Sequence, residues 1–215
     1  MTAQVLVLAK TPAPGRVKTR LCPPCTPEQA AQVAAAALAD TLSAVARTPA
    51  VRRCLVIDGD HPAPPGWHRT AQRGSSLGER IAHAYADTRI ARSGSLLIGM
   101  DTPQIDAGLL AAAVRRLDSD DTDAVIGLAE DGGWWALGLR EPSHGQALCD
   151  VPMSTPDTGA LTASALRARG LRVRRLPTLR DVDTDADARA VAALCPAGSR
   201  FTLAVSALVP PVSAA

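Results

Sequence analysis

Aromatic side chains are scarce in this sequence. Its 215 residues include three tryptophans, one tyrosine and one phenylalanine, and the formal net charge is only +2. Proteins that bind nucleic acids usually show a basic face or aromatic platforms on which bases stack. The composition therefore argues against a nucleic-acid partner and favours a small anionic ligand.

Long apolar runs are also missing. No stretch of the sequence approaches the ~20 apolar residues that a membrane-spanning helix needs. No charged segment followed by an apolar core and a small-residue cleavage site precedes the first apolar run. These absences predict a cytoplasmic protein with no membrane partner. The apolar segment from Phe201 to Val212 is too short to cross a bilayer, so we expect a packed or frayed terminus there.

Cysteines and histidines show no ligand pattern. The five cysteines are odd in number and scattered, which predicts free thiols rather than a disulfide framework. Cys22-Pro-Pro-Cys25 has redox or zinc spacing, but no second close pair accompanies it, and we assign it no role. The four histidines have no mutual metal-ligand spacing. The sequence also lacks a Gly-x-Ser-x-Gly elbow and a Walker Gly-Lys-Ser/Thr motif, which disfavours a serine hydrolase and a P-loop NTPase.

Apolar, β-branched runs alternate with capped, alanine-rich segments along the chain. This alternation predicts a three-layer α/β domain with a mostly parallel sheet over residues 1–196, followed by an apolar tail over 197–215. Helix N-caps are predicted at Thr26, Ser76, Asp106 and Thr184. Strands are expected near residues 4–9, 53–57, 95–98, 123–128, 134–139 and 171–176, and helices near 27–46, 77–91, 107–117, 157–168 and 185–194.

Four cations and a glycine directly follow the first predicted strand. They are Lys10, Gly15, Arg16, Lys18 and Arg20, and the two lysines are the only ones in the chain. Ligands bind at the carboxyl ends of strands in open α/β sheets. Arginine and lysine would pair with phosphate oxygens there, and Gly15 would let the backbone approach closely. The pattern favours a phosphate-binding loop over a solvated basic turn.

Three carboxylates are candidates for metal binding at the same edge. Asp101 follows the predicted strand 95–98, and Asp181 and Asp183 project to one side if their segment is extended. Mg²⁺ is commonly bound through one or two carboxylates together with substrate phosphates. Asp101 is the first ligand that we expect, although a turn-forming aspartate is the alternative there.

Asp131-Gly132-Gly133 separates two predicted strands. It could be an ordinary hairpin turn. Alternatively, the glycines could bring backbone close to a substrate while Asp131 bonds a hydroxyl or orients the metal shell. Adjacent strand residues point to opposite faces, so Trp134 and Trp135 can hardly share one core. One of the two rings is therefore expected to face a ligand.

An ordered set of motifs between about residues 4 and 194 resembles one known family. The family is that of bacterial arsenosugar-biosynthesis-type glycosyltransferases, in the nucleotide-diphospho-sugar transferase superfamily and related to phospholactate and phosphoenolpyruvate guanylyltransferases. The resemblance implies a Rossmann-like fold of the glycosyltransferase A type. Its motifs are Pro14-Gly-Arg-Val-Lys-Thr-Arg-Leu21, Gln72-Arg-Gly74 with Leu77-Gly-Glu-Arg80, Gly99-Met-Asp-Thr-Pro103, Asp131-Gly-Gly133, Ser154-Thr155 and Asp181-Val-Asp-Thr184.

The resemblance also implies roles for individual residues. Arg16, Lys18 and Arg20 would hold nucleotide phosphates, while Asp101 with Asp183 and Asp181 would hold Mg²⁺ or Mn²⁺. Lys18 and Asp101 are the catalytic candidates. The chain departs from the family at Trp134 and Trp135, where tyrosines are usual, and at Met153, where tryptophan is usual. The full candidate set is Lys10, Gly15, Arg16, Lys18, Arg20, Gly74 and Gly78 for the nucleotide, and Asp131, Gly132, Gly133, Trp134, Ser154 and Thr155 for the substrate.

Two reactions fit these residues. In the first, a phosphate, phosphonate or similar oxyanion acceptor attacks the α-phosphorus of a nucleoside triphosphate, and pyrophosphate leaves. In the second, a glycosyl group moves from a nucleotide-diphospho-sugar, and Asp131 or Glu130 binds acceptor hydroxyls. The excess of cations favours nucleotidyl transfer, and a non-catalytic nucleotide-binding module is a third hypothesis. The expected partners are a nucleoside triphosphate or nucleotide-sugar and a small anionic or hydroxylated acceptor, while the oligomeric state is left open.

Overall fold

The computed structural model describes residues 3–210, which form seven strands, six α-helices and two 3₁₀ helices. The 3₁₀ helices lie at Thr19–Leu21 and Pro142–Asp150. The strands are β1 (Gln4–Lys10), β2 (Arg53–Asp58), β3 (His68–Ala71), β4 (Ser95–Gly99), β5 (Ala124–Ala129), β6 (Trp134–Leu139) and β7 (Val173–Leu179). The helices are α1 (Pro27–Ala46), α2 (Leu77–Asp87), α3 (Ala107–Leu117), α4 (Thr158–Ala168), α5 (Asp185–Ala192) and α6 (Arg200–Leu208).

The strands form one sheet in the order β3-β2-β1-β4-β6-β5-β7. β6 runs antiparallel to β4 and β5, while the other neighbouring pairs are parallel. The predicted α/β class with a mostly parallel sheet is therefore confirmed. The strand order reverses at β1, since β2 and β3 lie on one side of it and β4 lies on the other. Such a reversal opens a crevice at the carboxyl ends of the strands, where ligands bind.

Alternating side chains bury both faces of the sheet. On one face, Val5 and Val7 pack with α1 and α3. On the other, Leu6 packs with α2, α4 and the 3₁₀ helix at Pro142–Asp150. The period of two along β1 therefore supplies both cores, which produces the three layers.

The predicted helix starts agree with the structure. The side chains of Thr26, Ser76, Asp106 and Thr184 each accept a hydrogen bond from a backbone N–H of the first turn. Three of these starts are full capping boxes, in which the N3 side chain bonds back to the N-cap residue. Capping was predictable because it depends on residues only three positions apart.

Some elements differ from the sequence prediction. β3 was not predicted, because its four residues are mostly exposed and lack an apolar alternation. The predicted helix after Ser76 ends at Asp87 rather than at Ala91. β7 extends to Leu179 and includes Pro177, which a sheet accepts at its edge because an outer strand has a ladder side without a partner.

The C-terminal segment contains a packed helix. Part of the predicted apolar tail forms α6, which contacts α1 and α5. Phe201, Val205 and Val209 are buried there with Leu21 and Val33 in a third apolar cluster. Residues 211–215 of the predicted tail lie outside the described residues. Among the described residues, none of the helices is both long and apolar enough to cross a membrane.

Arg172 holds Asp123 beside the start of β5. The backbone N–H and Nε of Arg172 donate to Asp123 Oδ2 at 2.8 Å each, and Nη2 donates to Oδ1 at 2.9 Å. These side-chain and backbone hydrogen bonds hold the pKa of Asp123 well below its usual range. A carboxylate with a lowered folded-state pKa stabilises the fold above its unfolded pKa of ~4, and this contribution is lost as the pH falls through the folded pKa.

We expect Asp123→Asn to lower the melting temperature at neutral pH by about 2–6 °C, because charge-assisted hydrogen bonds are lost. The difference from the parent protein should shrink below about pH 4, where the parent carboxylate begins to lose its advantage. Thermal unfolding followed by circular dichroism over this pH range measures both effects. A difference that does not change with pH would contradict the ionic contribution.

Candidate active site

A cavity of about 550 Å³ opens where the strand order reverses. Its floor includes Leu8 to Lys10 at the end of β1 and Gly99 to Asp101 at the end of β4. The start of α2, the β5–β6 turn, the loop before α4 and the segment after β7 complete the walls. The volume lies in the range of small-molecule sites, and the position is where an open α/β sheet binds its ligand.

The basic loop, residues 10–21, contributes two cations without a carboxylate partner. Lys10 and Arg16 both line the cavity, and neither forms an ion pair within residues 3–210. The Lys10 backbone N–H donates to the sulfur of Met100 at 3.3 Å, which attaches the start of the loop to the residue after β4. Two uncompensated cations beside a cavity attract an anion such as phosphate.

Lys18 has a different environment from the other cations of the loop. Its side chain is only 7% exposed, and Nζ lies 2.6 Å from Asp101 Oδ1 and 3.3 Å from Asp183 Oδ1. Burial by itself lowers the pKa of Lys18, but the charges and hydrogen bonds of Asp101 and Asp183 outweigh it and raise the pKa above the ordinary value. Lys18 is therefore a charged bridge between the end of β4 and the segment after β7.

Three carboxylates of the cavity lining form an acid cluster. Oxygen atoms of Asp131, Asp181 and Asp183 all lie within 4.8 Å of one another. Burial, followed by the charge of Asp131, raises the pKa of Asp181 to about 6. Carboxylates held this close repel one another until a cation is shared between them. Hard oxygen donors in such a set fit Mg²⁺ or Mn²⁺.

Asp101 lies outside this cluster. The sequence predicts it as the first metal ligand, whereas in the structure its carboxylate is the partner of Lys18 and Asp131 takes the third place beside Asp181 and Asp183. Asp101 still lines the cavity. The sequence predicted that Asp101 follows the end of a strand, but it could not predict the direction in which the Asp101 side chain points.

The β5–β6 turn combines a tight hairpin with the cavity wall. Asp131 Oδ1 accepts the backbone N–H of Gly133 at 2.7 Å. Gly132 has a φ of +91°, and a Cβ there would lie 1.8 Å from the carbonyl oxygen of Pro156, so only glycine fits. Trp134 lines the cavity, whereas Trp135 is buried against the other face and donates its Nε1–H to Pro177 O at 3.0 Å. The two tryptophans point to opposite sides, as expected.

Several other predicted site residues also line the cavity, but some do not. Gly133, Ser154 and Thr155 are in its wall. Arg20 is 75% exposed and pairs with Asp183 at 3.2 Å from outside. Outside the lining are also the predicted glycines Gly15, Gly74, Gly78 and Gly132.

Packing accounts for two of these glycines. Gly74 has a φ of +124°, and a Cβ there would lie 2.8 Å from the Cβ of Glu79. Gly78 is buried in the first turn of α2, where a Cβ would lie 2.2 Å from the carbonyl oxygen of Leu148. Both glycines let α2 approach its neighbours closely, and their direct contact with a nucleotide stays a prediction.

Gly78→Ala should reduce the free energy of unfolding by about 1–3 kcal/mol, because the methyl group overlaps backbone. Gly198→Ala is the matched control, since a Cβ there meets nothing within 4 Å. Urea unfolding measures both variants. A Gly78→Ala protein that is as stable as the parent would contradict the packing explanation.

Several lining residues were not assigned a role from the sequence. Gln72 Nε2 donates to Ala9 O at 2.7 Å and to Val56 O at 3.2 Å, so it fixes the carboxyl ends of β1 and β2. These residues include Gln72, Arg80, Met100 and Thr158. Gln72 and Arg80 belong to one of the motifs on which the family resemblance rests. That membership was the signal in the sequence that could have identified them as site residues. Their contribution depends on long-range contacts that no local pattern reports.

The strand order and the position of the cavity define an α/β Rossmann-like fold of the nucleotide-diphospho-sugar transferase type. A protein of Desulfovibrio desulfuricans G20, described as a proposed nucleotide-diphospho-sugar transferase, has a TM-score of 0.80 and 28% identity over 94% of each chain. CMP:2-keto-3-deoxy-manno-octonic acid synthetase, solved with CTP, has a TM-score of 0.57 and 13% identity, over 90% of this chain and 98% of the other. Rv0371c of Mycobacterium tuberculosis H37Rv, solved with manganese, has a TM-score of 0.53 and 20% identity, over 89% of this chain and 98% of the other.

The chain belongs to the DUF2064 family, described as an uncharacterized protein conserved in bacteria, whose model matches residues 29–155. A sequence search among curated proteins gives no match. The matched segment includes Asp101 and Asp131. The basic loop precedes it, and Asp181 and Asp183 follow it, so the complete site is brought together only in the fold.

Proposed function

We propose that this protein is a metal-dependent nucleotidyltransferase that moves a nucleoside monophosphate from a nucleoside triphosphate to a small acceptor. The observation that carries the proposal is that two unpaired cations, Lys10 and Arg16, share one cavity with the acid cluster. This arrangement suits a triphosphate, which needs cationic side chains along its length and a metal ion for the remaining charge. The fold shared with CMP:2-keto-3-deoxy-manno-octonic acid synthetase, which was solved with CTP, supports the proposal.

Each part of the site has a task in this reaction. Lys10 and Arg16 bind phosphate oxygens of the triphosphate. Asp131, Asp181 and Asp183 would hold Mg²⁺ or Mn²⁺, which supplies charge neutralisation on the phosphates when bound. Lys18, which lines the cavity, keeps Asp101 and Asp183 in place. Catalysis then rests on positioning and on electrostatic stabilisation of the leaving pyrophosphate.

Glycosyl transfer from a nucleotide-diphospho-sugar is the second candidate. It is favoured by the description of the Desulfovibrio desulfuricans G20 protein, which is 28% identical over 94% of each chain. The arsenosugar-type resemblance of the sequence points the same way. In this reaction Asp131 would bind an acceptor hydroxyl. The unpaired Lys10 and Arg16 weigh against it, because a metal-bound diphosphate needs fewer cations than a triphosphate.

Product analysis separates these reactions. The protein is incubated with Mg²⁺, each nucleoside triphosphate or nucleotide-sugar, and a mixture of neutral and phosphorylated acceptors. We expect acceptor-dependent release of pyrophosphate. Release of a nucleoside diphosphate from a nucleotide-sugar, without pyrophosphate from any triphosphate, would sink the proposal. Tight nucleotide binding with neither product would instead identify a non-catalytic module.

The acid cluster and Asp101 can be tested separately through Mn²⁺ affinity. We expect Asp131→Ala to raise the Kd for Mn²⁺ by roughly tenfold or more, because a ligand is removed. Asp101→Ala should leave the fold intact and change this Kd less, and it should lower metal-dependent turnover less than Asp183→Asn does, because Lys18 keeps Asp183 as a partner. Titration followed by electron paramagnetic resonance measures the affinity. A larger Kd change for Asp101→Ala than for Asp131→Ala would show that Asp101 is a metal ligand, as the sequence predicts.

A further inference from the structure

Two parts of the cavity lining differ in charge. Among the described lining residues, the cationic side chains are those of the basic loop and of Arg80 in α2. The other part is formed by the β5–β6 turn and the loop before α4. We call it the hairpin end, and its residues are Asp131, Trp134, Met153, Ser154 and Thr155. None of these five side chains is cationic, so the hairpin end lacks the groups that usually bind a phosphate.

A chain of hydrogen bonds fixes the polarity of one hydroxyl at the hairpin end. Thr158 is buried, and its Oγ1 donates to Pro152 O at 3.0 Å. The single hydroxyl proton of Thr158 is thereby used. Thr155 Oγ1 lies 3.3 Å from Thr158 Oγ1, and with the Thr158 proton on Pro152 O the donor of this pair is Thr155. In this arrangement the Thr155 hydroxyl offers its lone pairs to a ligand, which match a hydrogen-bond donor.

The other groups at this end bring no positive charge of their own. Asp131 Oδ1 accepts the N–H of Gly133, and the carboxylate belongs to the acid cluster that would hold the metal. Trp134 offers a flat apolar ring. Ser154 has a φ of 59°, a region that non-glycine residues rarely adopt and that is often found at functional sites. A phosphate oxygen placed beside Thr155 would face lone pairs, whereas a ligand O–H would be matched.

We propose that the hairpin end binds a neutral, polyhydroxylated acceptor of sugar-like chemistry, which donates a hydrogen bond to Thr155 Oγ1 and packs against Trp134. The sequence allows an anionic or a hydroxylated acceptor, and this proposal selects the hydroxylated one. The inference rests on the proposed function for the reaction. There, an acceptor hydroxyl oxygen bonds to the α-phosphorus, the bond from that phosphorus to the bridging oxygen breaks, pyrophosphate leaves with the electron pair, and the hydroxyl proton passes to solvent.

Saturation-transfer NMR on the full chain tests the polarity of this end. The protein is first saturated with Mg²⁺ and a non-hydrolysable nucleoside triphosphate analogue, so that the basic loop is occupied. Glucose, ribose and glycerol are then compared with glucose 6-phosphate, ribose 5-phosphate and glycerol 3-phosphate. We expect neutral probes to bind at least about tenfold more tightly than their phosphates. Tighter or equal binding of the phosphates, or no binding of any neutral probe, would overturn the inference.

Variants link the result to the named atoms and separate the two proposals. Thr155→Val keeps the shape but removes the oxygen, so it should weaken the neutral probes about tenfold or more while leaving the affinity for the triphosphate analogue within about twofold. Thr155→Ser should retain neutral binding. Equal neutral binding by Thr155→Val and the parent would overturn the role of Thr155.

Lys10→Ala should have the opposite effect on the two kinds of ligand from Thr155→Val. It should weaken the triphosphate analogue and leave the neutral probes unaffected when these are measured without nucleotide. One outcome separates the two proposals. If the parent protein binds neutral probes in a Thr155-dependent way but has no affinity for any triphosphate analogue, the proposed function is wrong and the polarity of the hairpin end is still supported. Loss of neutral binding in Lys10→Ala would overturn the separation of the two parts of the lining.

Discussion

Asp183→Asn lowers turnover at least about a hundredfold, the largest effect that we expect from a single substitution. The site has two charged systems, the acid cluster and the pair of carboxylates bridged by Lys18, and Asp183 belongs to both. One of its oxygens lies within 4.8 Å of those of Asp131 and Asp181, and Oδ1 also pairs with Lys18 at 3.3 Å. The substitution keeps the shape of the side chain while it removes the charge from both systems at once.

Asp185→Asn is the matched control for Asp183→Asn. It removes the same charge two residues away, where Asp185 begins α5, lies outside the cavity lining and pairs with Arg189 at 3.6 Å. Steady-state product release gives the activity, and Mn²⁺ titration gives the affinity. We expect Asp183→Asn to reduce both, and Asp185→Asn to change neither by more than about twofold. Comparable activity in the two variants would exclude Asp183 from the site.

Lys18→Met should have the second largest effect, a loss of kcat/KM of about a hundredfold. The ammonium group is buried between Asp101 and Asp183, so its removal leaves two carboxylates without their shared cation. The uncompensated charge should also lower the free energy of unfolding of the metal-free protein by about 1–3 kcal/mol. Added Mn²⁺ should recover part of this loss, because a metal ion bound by the acid cluster again balances the charge of Asp183.

Arg20→Met tests whether burial is the reason for the Lys18 effect. Arg20 pairs with the same Asp183 at 3.2 Å, but its side chain is 75% exposed. Exposed ion pairs contribute little, so Arg20→Met should change stability by less than about 1 kcal/mol and leave most activity. Kinetics and urea unfolding of the two variants give the comparison. An equal loss in both would show that the net charge of the loop matters more than the buried bridge.

Local sequence patterns predicted the fold class and the elements that hold the site. Capping at Thr26 and Ser76 was predictable because the residues involved are close in the chain. The apolar run before Lys10 identified a buried strand. The cations therefore lie at the carboxyl end of that strand, where open α/β sheets bind their ligands. β3 escaped prediction because an exposed edge strand needs no apolar pattern.

The sequence by itself determined that Lys10, Arg16 and Lys18 would meet Asp101 and Asp183 at one edge of a mostly parallel sheet. Only the tertiary structure decided how the charges divide: Lys18 bonds to Asp183, 165 positions away in the chain, and Asp131 rather than Asp101 completes the acid cluster. The physical reason is that strand order and side-chain direction fix these contacts, and both depend on packing between distant segments. Periodicity and turn chemistry act over a few residues and carry no information about either.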